Sequence, residues 1–233
     1  MAVVKRLVCL ANSRKLSGRC VAGKELIDGV AGPWVRPVSD RPKEEVSEEE
    51  RQYEDGSDPR VLDIIDVPLT APRPKAYQSE NWLLEPEEYW KRAGRSTWDA
   101  LYTLAGDPPN LWLNGSSTVA GLNDRVGLAN AEQLGGSLYL LHIGALHLRV
   151  FAPGAAFGNP KRRVQALFAH RGTSYRLWVT DPLVAREYLA RDDGHYQVGE
   201  CFATVSLGEP HEGYSYKLVA ALITPDSAAE AGP

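Results

Sequence analysis

The residues best equipped for chemistry lie near the start of the chain, in "CLANSRKLSGRCVAG" (9–23). Cys9 and Cys20 bracket Arg14, Lys15 and Arg19, and no acid interrupts them. A thiol acts as a nucleophile only beside a histidine or in a cationic niche that favours the thiolate. Cys20 follows Arg19 and is the better placed; the plain alternative is a buried, inert cysteine in a β-type run. The second chemistry is binding. Arg14, Lys15 and Arg19 can neutralise phosphates, and Asn12 and Ser13 can hydrogen-bond phosphate oxygens or base edges. Against this stands an ordinary solvated turn in which Asn12 or Ser13 bonds its own backbone.

A related pattern recurs further on. Residues 161–176, "KRRVQALFAHRGTSYR", hold five bases and no acid. Lys161, Arg162 and Arg163 open a strand-like run, and Arg176 and Trp178 share one face of the next, since positions i and i+2 of a strand point the same way. Trp34 and Arg36 repeat that cation–aromatic spacing in the first half, with core packing as the alternative for Trp34. A stacking ring beside a cation suits single-stranded nucleic acid. Asn123, Asp124 and Arg125 read either as a helix cap with an ion pair or as a site between two domains. Lys217 reads as an ion-pair partner of Glu209 or as a phosphate contact, and Asp181 as a helix cap.

The net charge of −4 conceals segregation. Residues 40–58 carry nine acids against three bases, whereas residues 1–36 carry seven bases against two acids. For a polyanion that segregation matters more than the sum. The acidic run 44–58 could mimic nucleic acid and compete for its groove. Three cysteines without a C-x-x-C pair argue against a disulfide framework and a zinc knuckle, and favour a reducing cytoplasm. The five histidines (142, 147, 170, 195 and 211) lack metal-ligand spacing, so neither a metal nor a cofactor is expected. No apolar run approaches a membrane span, so no membrane partner is expected. The phosphate-loop, dinucleotide-binding and nucleophile-elbow motifs are absent.

The elements that must position these residues are mostly strands. In the second half the order is a long strand broken at Gly144 (137–152), two strands joined at Arg171–Gly172, a helix (181–191) opened by Asp181 and Pro182, and two more strands (201–207, 216–223). This is the order of an OB-fold. The first half repeats it: strands at 3–11, 18–26 and 32–39, a helix at 42–53, a strand at 61–71 and a fifth around 77–85. The expected fold is therefore mainly β with a helical insert (α+β): two OB-like Greek-key barrels joined by a helical connector. The expected boundaries are 1–85, a connector at 86–135, a second barrel at 136–225 and a disordered tail at 226–233.

The segments "CLANSRKLSGRCVAGKEL", "GPWVRPVS", "NDRV", "VTDP" and "GEPHEGYSYKLVAALI" resemble the bacterial dual OB domain-containing family, over most of residues 5–223. That resemblance implies two OB-folds and nucleic-acid binding, in a defence or conflict setting. The acidic run 44–58 departs from it. The leading expectation is a non-catalytic nucleic-acid-binding module, with single-stranded DNA or RNA preferred. The alternatives are an enzyme on nucleotides or nucleic acid, using Lys15, Cys20, Asn123, Asp124 and Lys217 between the barrels, and an adaptor for protein partners.

Overall fold

The computed structural model describes residues 2–229. The fold is mostly β, in two six-stranded sheets that belong to two compact units. One unit takes the chain as far as Leu104, together with Gly135–Ser137; the other holds Ala105–Leu134 and Leu138–Ser227.

The first unit is built from β1 (Val3–Lys15), β2 (Gly18–Ile27), β3 (Val30–Val38), β4 (Asp63–Pro72) and β5 (Asn81–Leu84), with α1 (Glu48–Arg51) between β3 and β4. Antiparallel pairs join β1 to β2, β2 to β3 and β4 to β5, and β3 runs parallel to β5. Antiparallel pairing of β1 with β4, from Val3 opposite Leu69 to Val8 opposite Ile64, closes the ring. β1 serves two partners, β4 at its start and β2 at its end, and a bulge at Leu10 marks the change. Inside the ring pack Leu7, Cys9, Val21, Val35, Ile65, Val67, Leu69, Leu84 and Trp90. β6 (Lys91–Arg95) adds to β4 outside the ring, and α2 (Ala100–Leu104) follows.

The second unit repeats the winding with β8 (Leu138–Phe151), β9 (Arg163–His170), β10 (Thr173–Val179), α4 (Pro182–Leu189), β11 (Gly194–His211) and β12 (Tyr214–Ile223). Here the parallel pair is β10 with β12, at Trp178 opposite Leu218 and Val179 opposite Val219, and β8 pairs with β11 to close the ring. In β9, Val164, Ala166 and Phe168 point into the barrel and are buried, and Arg163 and Ala169 on the other face are exposed, while Gln165 of that face is covered. Gly144 lies in a bulge of β8 opposite Glu200, where the expected break in the long strand falls. Asp181 caps α4, its carboxylate accepting from the Leu183 and Val184 N–H groups. The hairpins turn at Asp28–Gly29, Arg171–Gly172 and Glu212–Gly213, where both residues have positive φ; the right-handed strand twist favours such turns and glycine makes the second position cheap.

Three expectations need correction. The span 86–135 is not a wholly helical connector. Among its described elements are only two short helices, α2 and α3 (Leu128–Ala131), and it also supplies β6 to the first sheet and β7 (Arg125–Gly127) to the second, beside β12. Trp90, read there at helical spacing, is instead buried in the first barrel, bridged to Tyr53. The helix at 42–53 shrinks to α1, because Val46 is held extended against Arg19 and Glu44 has φ of 57°. A capping box, Ser47 with Glu50, starts it. Residues 226–229 of the expected tail belong to a short helix, α5 (Pro225–Ala229); residues 230–233 lie outside the described residues.

Candidate nucleic-acid interface

The outer face of β8, β9 and β10 carries a connected group of rings and guanidiniums. The Arg149 guanidinium lies 3.9 Å over the Phe151 ring, Phe151 stacks beside Trp178 at 5.8 Å and 23°, and the Arg163 guanidinium lies 3.9 Å over Trp178. The register makes this possible. Phe151 stands opposite Arg163, and Trp178 opposite Gln165, so all four side chains emerge on the side away from the barrel interior. Arg163 is exposed, and Arg149, Phe151 and Trp178 are partly exposed. Loop 115–122 covers part of the face: Gln165, opposite both Arg149 and Trp178, is buried and donates to the Ala120 carbonyl at 2.9 Å, and the Arg176 backbone bridges to Leu122. At the other border, the connection from β8 to β9 holds Lys161 exposed and Phe157 at 90% exposure. A 3-10 turn (Ala155–Phe157) and the Gly154–Asn159 bridge define that loop.

Arg163, Arg176, Trp178 and Lys161 are thus brought to one side of the second barrel. Arg162 is not among the free cations. It donates to Asp193 at 2.6 Å and to the Leu189 carbonyl at 3.0 Å, satisfying the C-terminal end of α4. Arg149, Phe151 and Phe157 were missed. The spacing of Arg149 and Phe151, two apart on a strand, was the available signal.

Lys217 is corrected outright. It is 1% exposed, donating to the Leu113 carbonyl at 2.7 Å and Asn114 Oδ1 at 3.2 Å, 5.3 Å over the Tyr175 ring. Burial lowers its ammonium to about 8, with Asp124 opposing the shift. Asp124, also buried, accepts from Thr118 N–H and Oγ1 at 2.7 and 2.5 Å. Gly121 is required there, since a Cβ would stand 1.8 Å from Asp124 Oδ2. Asn123 accepts from Gly115 N–H at 2.7 Å and donates to the Ser174 carbonyl at 3.0 Å, and Arg125 bonds Ser116 at 3.1 Å and lies 4.0 Å over Tyr214. These residues lock the loop before β7 onto the second barrel.

In the first barrel, Arg36 is also corrected. It is 3% exposed and bonds Ser137 at 2.8 Å, Asn81 at 3.2 Å and Glu80 at 3.0 Å, so it cannot meet a ligand beside Trp34. Trp34 is half-buried, with Lys24, its cross-strand partner, 5.9 Å over the ring. Asn12 donates to the Pro59 carbonyl at 2.8 Å, and Ser13 is buried, donating to the Cys20 carbonyl at 3.4 Å. Arg14 is exposed; Lys15, Arg19 and Cys20 are half-buried. Burial pushes the Cys9 and Cys201 thiols up to about 12, so neither supplies a thiolate near neutral pH. Among the described residues, no group of three or more His, Cys, Asp or Glu is placed to hold a metal ion, and no helix is long and apolar enough to cross a membrane.

A family model described as a dual OB-containing domain matches residues 5–222. The chain belongs to that family. Its span covers both rings, whose shared winding is the OB-fold's, with the helix between the third and fourth strands. No curated protein and no solved structure matched the chain.

Proposed function

We propose that this dual OB protein is a non-catalytic nucleic-acid-binding module that takes single strands on the outer face of its second barrel. One observation carries the reading: the Arg149, Phe151, Trp178 and Arg163 group. Unpaired bases expose π-faces that stack on aromatic rings and guanidinium planes, and the cations beside them answer the phosphates. Duplexes hide those faces, which is why single strands are preferred. The exposed Phe157 and Lys161 extend the same chemistry along the bordering loop. The three free cysteines suit a reducing compartment, where such a module would work.

Fluorescence anisotropy with labelled single-stranded DNA, single-stranded RNA and duplex DNA across a salt series tests this. Micromolar or tighter single-strand binding is expected. It should weaken as salt rises, because neutralised phosphates release counterions. Absence of binding to all three, or a duplex preference, would end the proposal.

A further inference from the structure

The β1–β2 hairpin raises a separate question. Arg14 and Arg19 are direct cross-strand partners. Such a pair holds its Cβ atoms about 5 Å apart, and like charges in that position destabilise a sheet. Among the described residues, neither guanidinium has a hydrogen-bond or ion-pair partner, and Arg19 Nε is sealed from solvent with none.

A third guanidinium backs them. The acidic segment that precedes α1 runs against the hairpin: Arg19 N–H donates to the Val46 carbonyl at 2.9 Å and Val46 N–H donates to the Arg19 carbonyl at 3.0 Å. Arg51 of α1 reaches that Val46 carbonyl at 3.5 Å and is itself buried. Its charge is already matched by Asp58 at 2.6 Å. Burial, Arg51 and Arg14 lower the Arg19 guanidinium from its ordinary value, against the opposing pull of Asp58 and Glu48. The acidic run thus brings both signs of charge to the hairpin, Arg51 on one side and Asp58 and Glu48 on the other.

Two guanidiniums without a hydrogen-bonded carboxylate therefore face each other beside a third. We propose that Arg14 and Arg19, backed by Arg51, form a phosphate-binding site on the first barrel, independent of the second barrel's stacking face. A phosphate group offers several oxygens to two guanidinium forks at once, and this geometry suits it better than a single carboxylate. The phosphate comes either from a chain terminus or from within a nucleic-acid backbone.

The test compares the thermal midpoint of the full chain in sodium phosphate and in sodium chloride of equal ionic strength. Wild type, Arg14→Gln, Arg19→Gln and, as a charge-matched control, Arg186→Gln on α4 are used. Phosphate stabilises folded proteins generally, so the readout is the difference between variants. Wild type and Arg186→Gln should gain about 3 °C more in phosphate than the two hairpin variants. Neither hairpin variant should be less stable than wild type in chloride, because each removes a repulsion.

Oligonucleotides with a 5′-phosphate or a 5′-hydroxyl separate the two sources. A loss of affinity in Arg19→Gln confined to the 5′-phosphorylated strand assigns the site to a terminal phosphate; an equal loss on both assigns it to the backbone. An equal phosphate gain in all four proteins, or none in wild type, overturns the site. A chain that binds no oligonucleotide yet keeps the Arg19-dependent gain loses the nucleic-acid reading and keeps this site.

Discussion

The two barrels share a winding and differ in what they do with their cations. Each buries one. In the first, Arg36 meets the carboxylate of Glu80 at 3.0 Å and also donates to Ser137 and Asn81. In the second, Lys217 is held by the Leu113 carbonyl and Asn114. The contrast repeats at strand three. Trp34 and Arg36 of the first barrel, and Arg176 and Trp178 of the second, show the same spacing. In the first Arg36 is buried, whereas in the second Arg176 and Trp178 are both partly exposed, with Arg149 and Phe151 joining from β8. A spacing of two on a strand places residues on one face. Whether that face is a surface depends on what the rest of the chain lays over it.

The comparison can be broken at three points. Arg36→Leu should be the most damaging, because it leaves Glu80 as a buried, uncompensated carboxylate. A loss of about 3–5 kcal/mol in urea unfolding is expected, against at most about 0.5 kcal/mol for Arg163→Ala on the open face. Equal losses would dissolve the distinction between a structural and a surface cation.

Lys217 gives the next effect, and its sign is fixed. Below pH 8 the ammonium is charged in the folded and unfolded chains alike, and its burial costs stability. Between about 8 and its ordinary value of 10.5, only the unfolded chain keeps the proton, so this group makes stability rise with pH. The full rise is about 3 kcal/mol. Urea midpoints from pH 7 to 10 should climb in wild type relative to Lys217→Met, and parallel curves would contradict the burial.

The third effect is on binding. Trp178→Ala should weaken single-strand affinity by about 1–3 kcal/mol, the worth of one stacked base. Trp34→Ala, whose neighbour Arg36 is committed to Glu80, should change it less. Anisotropy on the two variants side by side sharpens or erases the asymmetry.

Much of the fold was legible because its signals are local. β9 is a β-rich run that ends at the Arg171–Gly172 turn, and α4 announces itself with Asp181 and Pro182. β5 was the faintest strand. It has only four residues, and its pairing with β3 is parallel and distant in sequence, so ring closure rather than composition defines it. α1 was overread because charge suggested a helix where Val46 had a strand partner. At the candidate site, Trp178 was legible by sharing a face with Arg176 and Arg163 by the basic run that opens β9, whereas the meeting of Phe151 with Arg163 follows only from the register. The burial of Arg36 and Lys217 was hidden, since Glu80 and Leu113 lie far along the chain from them.

Photocrosslinking of a single-stranded oligonucleotide carrying 5-iodouridine, followed by peptide mass spectrometry, tests the central claim most directly. The outer face of the second barrel should be labelled, in peptides that hold Phe151, Phe157 or Trp178, and Trp178→Ala should remove its share. Labelling confined to the Trp34 peptide, or spread evenly over the surface, would contradict it.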